Sequence, residues 1–219
     1  MNDLERRFYN FDVSAEETER GHILTGRPIV YNSRTNIGPF DEIIEQGALD
    51  STDLTDVRFL VNHNTMMIPL ARSRRNNGNS TMKLTPDESG LSIDYVSLDV
   101  ENNADARALE SAVKRGDISG MSFMFSVPRG GDDWDNLESD HPTRRIKKIG
   151  SVVEVSAVTF PAYDATEIYA RSKDALENAR LVLESARQRR ACSLESEDTN
   201  RLELEKAKLK LLGGYYNAS

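Results

Sequence analysis

The chain has 219 residues, a formal net charge of −8 and charged residues at 29% of its positions, which fits one domain with a substantial core plus an appendage. The acidic balance argues against a nucleic-acid binder, and no apolar run approaches the ~20 residues of a membrane span. A single cysteine, Cys192, excludes an internal disulfide framework and fits a reducing compartment, and the opening Met-Asn-Asp-Leu-Glu-Arg-Arg lacks the apolar centre of a signal peptide.

Short alternating runs near 22–31, 57–63, 81–84, 90–98, 118–127, 145–149 and 151–160, separated by Gly, Pro, Asn and Asp clusters, predict a β-rich chain. His22 stands at the start of the first run and reads as a surface residue. His63 closes the second, Arg-Phe-Leu-Val-Asn-His-Asn (58–64), and is followed by loop-like sequence, as suits an imidazole at the rim of a sheet. One helix interrupts the strands. Asn103–Arg115 carries Ala104, Ala108, Ala112, Leu109 and Val113 at helical spacing, with Gly116 as its stop.

That helix delivers the chain into Ile-Ser-Gly-Met-Ser-Phe-Met-Phe (118–125). Read as a strand, it places Ser119, Met121, Phe123, Phe125 and Val127 on one face, and Gly120, Ser122, Met124 and Ser126 on a smaller, more polar one. Ser122 is expected on a partly open face with Gly120 leaving room beside it. Ser119 reads as a turn or cap residue. His141 follows in a polar loop, where Pro142 disfavours helix. In 152–159, Val153, Val155, Ala157 and Thr159 share one face, and Val152, Glu154, Ser156 and Val158 the other. An ionised carboxylate in so apolar a strand costs several kcal/mol or more unless it is paired. Its partner is either a histidine whose tautomer needs fixing or a structural arginine.

Residues 171–219 change character, with a net charge of +2 against −10 for residues 1–170. Asp174–Arg190 and Thr199–Leu212 predict two solvated amphipathic helices, with Ser193–Asp198 as a polar break and a frayed Gly-Gly-Tyr-Tyr-Asn-Ala-Ser end. An ordinary exposed helical tail is the plain interpretation.

A histidine, a hydroxyl and an acid are the parts of an activated nucleophile. If the fold gathers His63, Ser122 and Glu154, the chain is a serine hydrolase, and that chemistry needs no cofactor or metal.

In order along residues 20–170, Gly-His-Ile-Leu-Thr-Gly-Arg-Pro-Ile-Val-Tyr-Asn (21–32), Phe-Asp-Glu-Ile-Ile-Glu-Gln-Gly-Ala-Leu (40–49), Phe-Leu-Val-Asn-His-Asn (59–64), Glu-Ser-Gly-Leu (88–91), Gly-Asp-Ile-Ser-Gly-Met-Ser-Phe-Met-Phe (116–125) and Glu-Val-Ser-Ala-Val-Thr-Phe-Pro-Ala-Tyr (154–163) resemble the prohead proteases of tailed bacteriophages. The resemblance implies a fold similar to the herpesvirus assembly proteases, namely α+β, β-rich, a closed and mostly antiparallel β-barrel flanked by helices, over residues 1–170, with 171–219 as a charged helical tail. It implies His63 as base, Ser122 as nucleophile and Glu154 as third member, with His141 a rival for that last place because the herpesvirus enzymes use a second histidine there. Met124 stands where the family often has a small residue, and Leu49 where phenylalanine is usual.

The function so implied is a serine endopeptidase that trims the major capsid protein precursor and its scaffold segment inside the assembling prohead, in the host cytoplasm, and cleaves itself in the tail, acting alone or as a homodimer. The competing interpretation is a noncatalytic capsid-assembly or scaffolding protein that keeps the fold for binding. A general esterase lacks support, since Gly120-Met-Ser122-Phe-Met124 has only the first glycine of a Gly-x-Ser-x-Gly elbow. For the oxyanion, main-chain amides of Gly120–Phe123 and an arginine such as Arg72, Arg144 or Arg145 are candidates.

Overall fold

In the computed structural model, which describes residues 4–9, 13–19, 21–74, 79–159 and 173–216, the period-two runs become strands of three sheets. The first holds β1 (Leu4–Tyr9), β10 (Gly120–Ser126), β13 (Ser151–Val158), β6 (Asp56–Val61) and β7 (Ala71–Arg74), in that order. The second runs β11 (Asp132–Asp135), β12 (Thr143–Ile146), β5 (Asp41–Ile44), β4 (Arg34–Asn36). The third runs β2 (Val13–Thr18), β3 (Gly21–Val30), β9 (Gly90–Ser97), β8 (Met82–Asp87). Among these pairings β12–β5 and β13–β6 are parallel.

The closed barrel expected from the sequence does not form, because none of the three sheets closes on itself. Between β7 and β8 the bonds are mixed, part main chain and part side chain. Thr81 N–H donates to the Arg72 carbonyl at 3.0 Å, but the Arg72 N–H goes to the Thr81 hydroxyl at 2.9 Å. The Ser80 hydroxyl accepts from Arg74 N–H at 2.7 Å and donates to the Arg74 carbonyl at 3.0 Å. Side chains thus satisfy the β7 edge that a neighbouring strand would otherwise need to pair.

The central helix, α1 (Ala104–Arg115), has the predicted ends. The Asn103 side chain accepts from the N–H groups of Asp105 and Ala106, and Gly116 closes the helix at φ 79°. Its buried stripe is Ala106, Leu109, Glu110 and Val113, whereas Ala104 and Ala108 face solvent.

Strand β1 carries too much charge to read as a strand from its sequence. Leu4 and Arg6 are exposed while Glu5 and Arg7 are buried. Arg7 donates through Nε and Nη2 to both oxygens of Glu42, and through Nη2 to Glu5. Arg144 donates to Glu5, Glu42 and Asp132. Burial alone would push the Glu5 carboxyl up, but Arg7 and Arg144 overcome it and hold it below its ordinary range. The cluster ties β1 to β5, β11 and β12, and so fixes the strand that borders β10.

The chain divides into two units, Met1–Ala179 and Arg180–Ser219. The expected boundary between 170 and 171 lies outside the described residues, as do Phe160–Tyr163 of the last matching segment. The second helix, α2, is continuous over Lys173–Tyr216, so the predicted break at Ser193–Asp198 is absent and Gly213–Tyr216 is helical. That break contains no Pro or Gly. Its hydroxyls fold back onto helix carbonyls, Ser196 Oγ to Ser193 O and Thr199 Oγ1 to Glu195 O, each at 2.8 Å, so they do not compete with the helix. Among the described residues no helix is long and apolar enough to cross a membrane.

Candidate active site

Three neighbouring strands of the first sheet build the site. Ser122 in β10 lies opposite Ser156 in β13, and Met124 lies opposite Glu154. Between Met124 and Phe125 the register shifts, because Phe125 pairs with Val152 and Val153 is left over. This β-bulge corrects the simple alternation expected from the sequence. Val152 joins Val155, Ala157, Phe123 and Phe125 in the core, while Glu154 and Ser156 stay on the face of Ser122.

His63 arrives from β6, which runs parallel to β13 in the register Ser156–Leu60 and Ala157–Val61. Two consecutive residues then turn left-handed, Asn62 at φ 52° and His63 at φ 56°. Asn62 is a residue type that tolerates this region better than most. Its N–H donates to the Ala157 carbonyl at 2.9 Å. Its side chain accepts from Thr159 N–H and donates to the Thr159 hydroxyl, both at 3.0 Å. The turn curls the imidazole back over the sheet.

There the imidazole meets both other groups. Nδ1 of His63 is in hydrogen-bond contact with Oε1 of Glu154, and Nε2 lies 2.6 Å from Oγ of Ser122. An ionised carboxylate only accepts, so Nδ1 carries the proton and Nε2 presents its lone pair to the hydroxyl. The second carboxylate oxygen, Oε2, accepts from Ser156 Oγ at 2.6 Å. Ser122 Oγ also reaches the main-chain carbonyl of Arg7 in β1. Ser122 is 0% exposed, Glu154 3% and His63 8%, so the whole chain of hydrogen bonds is buried. The partly open face expected for Ser122 is therefore corrected, since every residue of β10 is buried.

The family model of the caudovirus prohead serine proteases matches residues 9–180. The chain belongs to that family. Caudovirus prohead proteases are serine proteases of tailed bacteriophages that act in capsid maturation, and His63, Ser122 and Glu154 all fall within the matched stretch. No curated protein and no solved structure matches the chain.

The other candidates lie elsewhere in the chain. His141 is exposed and pairs with Asp41 at 2.9 Å, and His22 pairs with Glu110 at 2.8 Å. Ser119 is exposed just ahead of β10. The three arginines considered for the oxyanion are all committed to carboxylates: Arg72 to Asp56, Arg144 to the buried cluster, and Arg145 to Asp135 and Glu45. Among the described residues no cluster of three or more His, Cys, Asp or Glu could hold a metal ion. Sequence reasoning gave no role to Asn62 or Ser156. The signal for Ser156 was present, since alternation had already put it on the face of Glu154.

Proposed function

We propose that the chain is a serine endopeptidase in which Ser122 is the nucleophile, His63 the general base and Glu154 the group that orients and stabilises the imidazole. The observation that supports this reading is the unbroken buried sequence of hydrogen bonds from Glu154 through His63 to Ser122. As Ser122 Oγ attacks a peptide carbonyl carbon, its proton passes to His63 Nε2, and the imidazolium forms against the Glu154 carboxylate. The same proton then moves to the departing amine as the C–N bond breaks. Water repeats the sequence on the acyl-enzyme, with His63 again as base. The resting hydroxyl has one proton and two acceptors, His63 Nε2 and the Arg7 carbonyl, so attack starts from the state in which the proton points to His63.

The substrates in this proposal are the major capsid protein precursor and its scaffold segment, within the assembling prohead, together with the enzyme's own tail. The complete burial of Ser122 favours the second reading, a noncatalytic assembly or scaffolding protein. Co-expression with the capsid precursor, wild type against Ser122→Ala and read by intact mass, separates the two. Loss of precursor trimming and of self-shortening in a folded Ser122→Ala chain is expected. Trimming that persists in the variant moves the nucleophile to Ser119. A wild type that cuts nothing leaves the noncatalytic reading standing.

A further inference from the structure

Ser156 is 0% exposed and stands two residues beyond Glu154 on the same face of β13, directly across from Ser122. Its hydroxyl makes two bonds whose directions chemistry dictates. It donates to Glu154 Oε2 at 2.6 Å, because a carboxylate can only accept, and it accepts the main-chain N–H of His63 at 3.2 Å, because an N–H can only donate. One oxygen thereby grips the acid by its side chain and the histidine by its backbone. Without it, Oε2 would lose its serine donor in a buried site, and the carboxylate would be freer to rotate about its last torsion. The His63 N–H would lose the Ser156 hydroxyl as an acceptor, at a residue held in the left-handed region.

We infer that Ser156 is a positioning residue, which sets the plane of the Glu154 carboxylate and the placement of the His63 ring so that Nε2 aims at Ser122. This rests on the triad proposed above. A hydroxyl kept only to satisfy core polarity would need a single carbonyl acceptor. This one instead spends its donor on the acid and its acceptor on the base's residue, and touches no other group of the site. The main-chain pairing of β13 with β10 and β6 does not depend on it, so its loss leaves the sheet in place.

The test uses the full chain as wild type, Ser156→Ala and Ser156→Thr, with circular dichroism and thermal midpoints as controls for folding. Proton NMR follows the far-downfield Nδ1–H resonance of His63, assigned by its loss in His63→Ala. In Ser156→Ala this signal moves upfield or broadens away, and phosphorylation of Ser122 by diisopropyl fluorophosphate, with loss of fluoride and read by intact mass, slows about 10- to 100-fold. Ser156→Thr, which keeps the hydroxyl, restores both. If Ser156→Ala does not fold, Ser156→Cys, close in shape but a weak donor, carries the same expectations. An unchanged Nδ1–H resonance and a labelling rate within twofold of wild type, in a folded variant, overturn the positioning role. A wild type that resists phosphorylation by diisopropyl fluorophosphate, while its Nδ1–H resonance still depends on Ser156, overturns Ser122 as nucleophile and leaves the positioning role supported.

Discussion

Asn62 and Thr159 are locked together, 97 residues apart in sequence, by a carboxamide that accepts the Thr159 N–H at 3.0 Å and donates to its hydroxyl at 3.0 Å. The lock joins the end of β6 to the end of β13, at the point where the backbone turns left-handed to present His63. Asn62→Ala removes the lock and puts a poorly suited residue at φ 52°. A cost of about 1–2 kcal/mol is expected, with at least a tenfold loss of peptide cleavage. Asn62→Gly relieves the backbone but not the lock, so it should recover stability more than rate. Urea unfolding beside turnover checks this. Full activity in Asn62→Gly would show that conformation alone matters there.

Glu154→Gln keeps the volume and removes the charge. The carboxamide no longer stabilises an imidazolium at His63, and turnover should fall by roughly 10³- to 10⁴-fold. Thermal stability should hold or fall slightly, since the carboxamide has one acceptor oxygen where the carboxylate met two buried donors. His141→Ala, whose ring pairs with Asp41 at the surface, should leave turnover within twofold of wild type. A Glu154→Gln enzyme that works, beside a dead His141→Ala, would reverse the assignment of the third member.

The buried cluster around Arg7 gives a prediction with a sign. Arg7→Met takes from Glu5 and Glu42 one of the two arginines that hold them, and unfolding by urea at pH 7 should register a loss of about 3–5 kcal/mol. In the wild type the Glu5 carboxyl is held below its ordinary value of 4.5. Its contribution to stability is therefore complete above that pH and is lost as pH falls through the depressed folded value. In Arg7→Met the burial of Glu5 is no longer opposed by the Arg7 guanidinium, so its carboxyl rises and acid costs the variant less than it costs the wild type. The difference in stability should shrink from pH 7 toward pH 4. A gap that widens instead would mean that the cluster does not hold its acids ionised through Arg7.

What was legible in the sequence and what was not divides along the range of the interactions. The helix Ala104–Arg115 was readable because Asn103 and Gly116 act within one turn of its ends. Glu154 stood out because a lone acid in an apolar strand demands a partner, and His63 stood out separately as the histidine that closes an apolar run ahead of loop-like sequence. Strand β1 was invisible because Glu5 and Arg7 are neutralised by Glu42 and Arg144, 35 and 139 residues away. The bulge at Val153 escaped because alternation assumes an unbroken ladder. That the sheets stay open was not legible either, since periodicity marks strands and not which edges pair. The apparent break at Ser193–Asp198 misled because serine and threonine end a helix only when their hydroxyls turn away from it.

The hairpin joining β8 to β9 lies in one of the segments that carry the family resemblance, Glu-Ser-Gly-Leu (88–91), and its chemistry can be tested apart from catalysis. Asp87 Oδ1 accepts from the N–H groups of Ser89 at 2.7 Å and Gly90 at 3.0 Å, and both carboxylate oxygens accept from Arg27 at 2.7 Å. The Arg27 hydrogen bonds are the main reason that the Asp87 carboxyl is held down to about 2. Its contribution is present above its ordinary 3.8 and is lost as pH falls toward that lower value. Asp87→Asn should therefore flatten the pH dependence of stability between about pH 4 and pH 2. Gly90 sits at φ 143°, and a Cβ there would lie 2.0 Å from the Ile29 carbonyl oxygen on the paired strand β3. Because backbone, not a flexible side chain, stands in the way, Gly90→Ala should cost roughly 2–4 kcal/mol. It should lower the thermal midpoint far more than Gly116→Ala, where an added Cβ meets nothing within 4 Å. Equal midpoints for the two variants would mean that positive φ, which both glycines share, sets the cost, and not the close approach of β9 to β3.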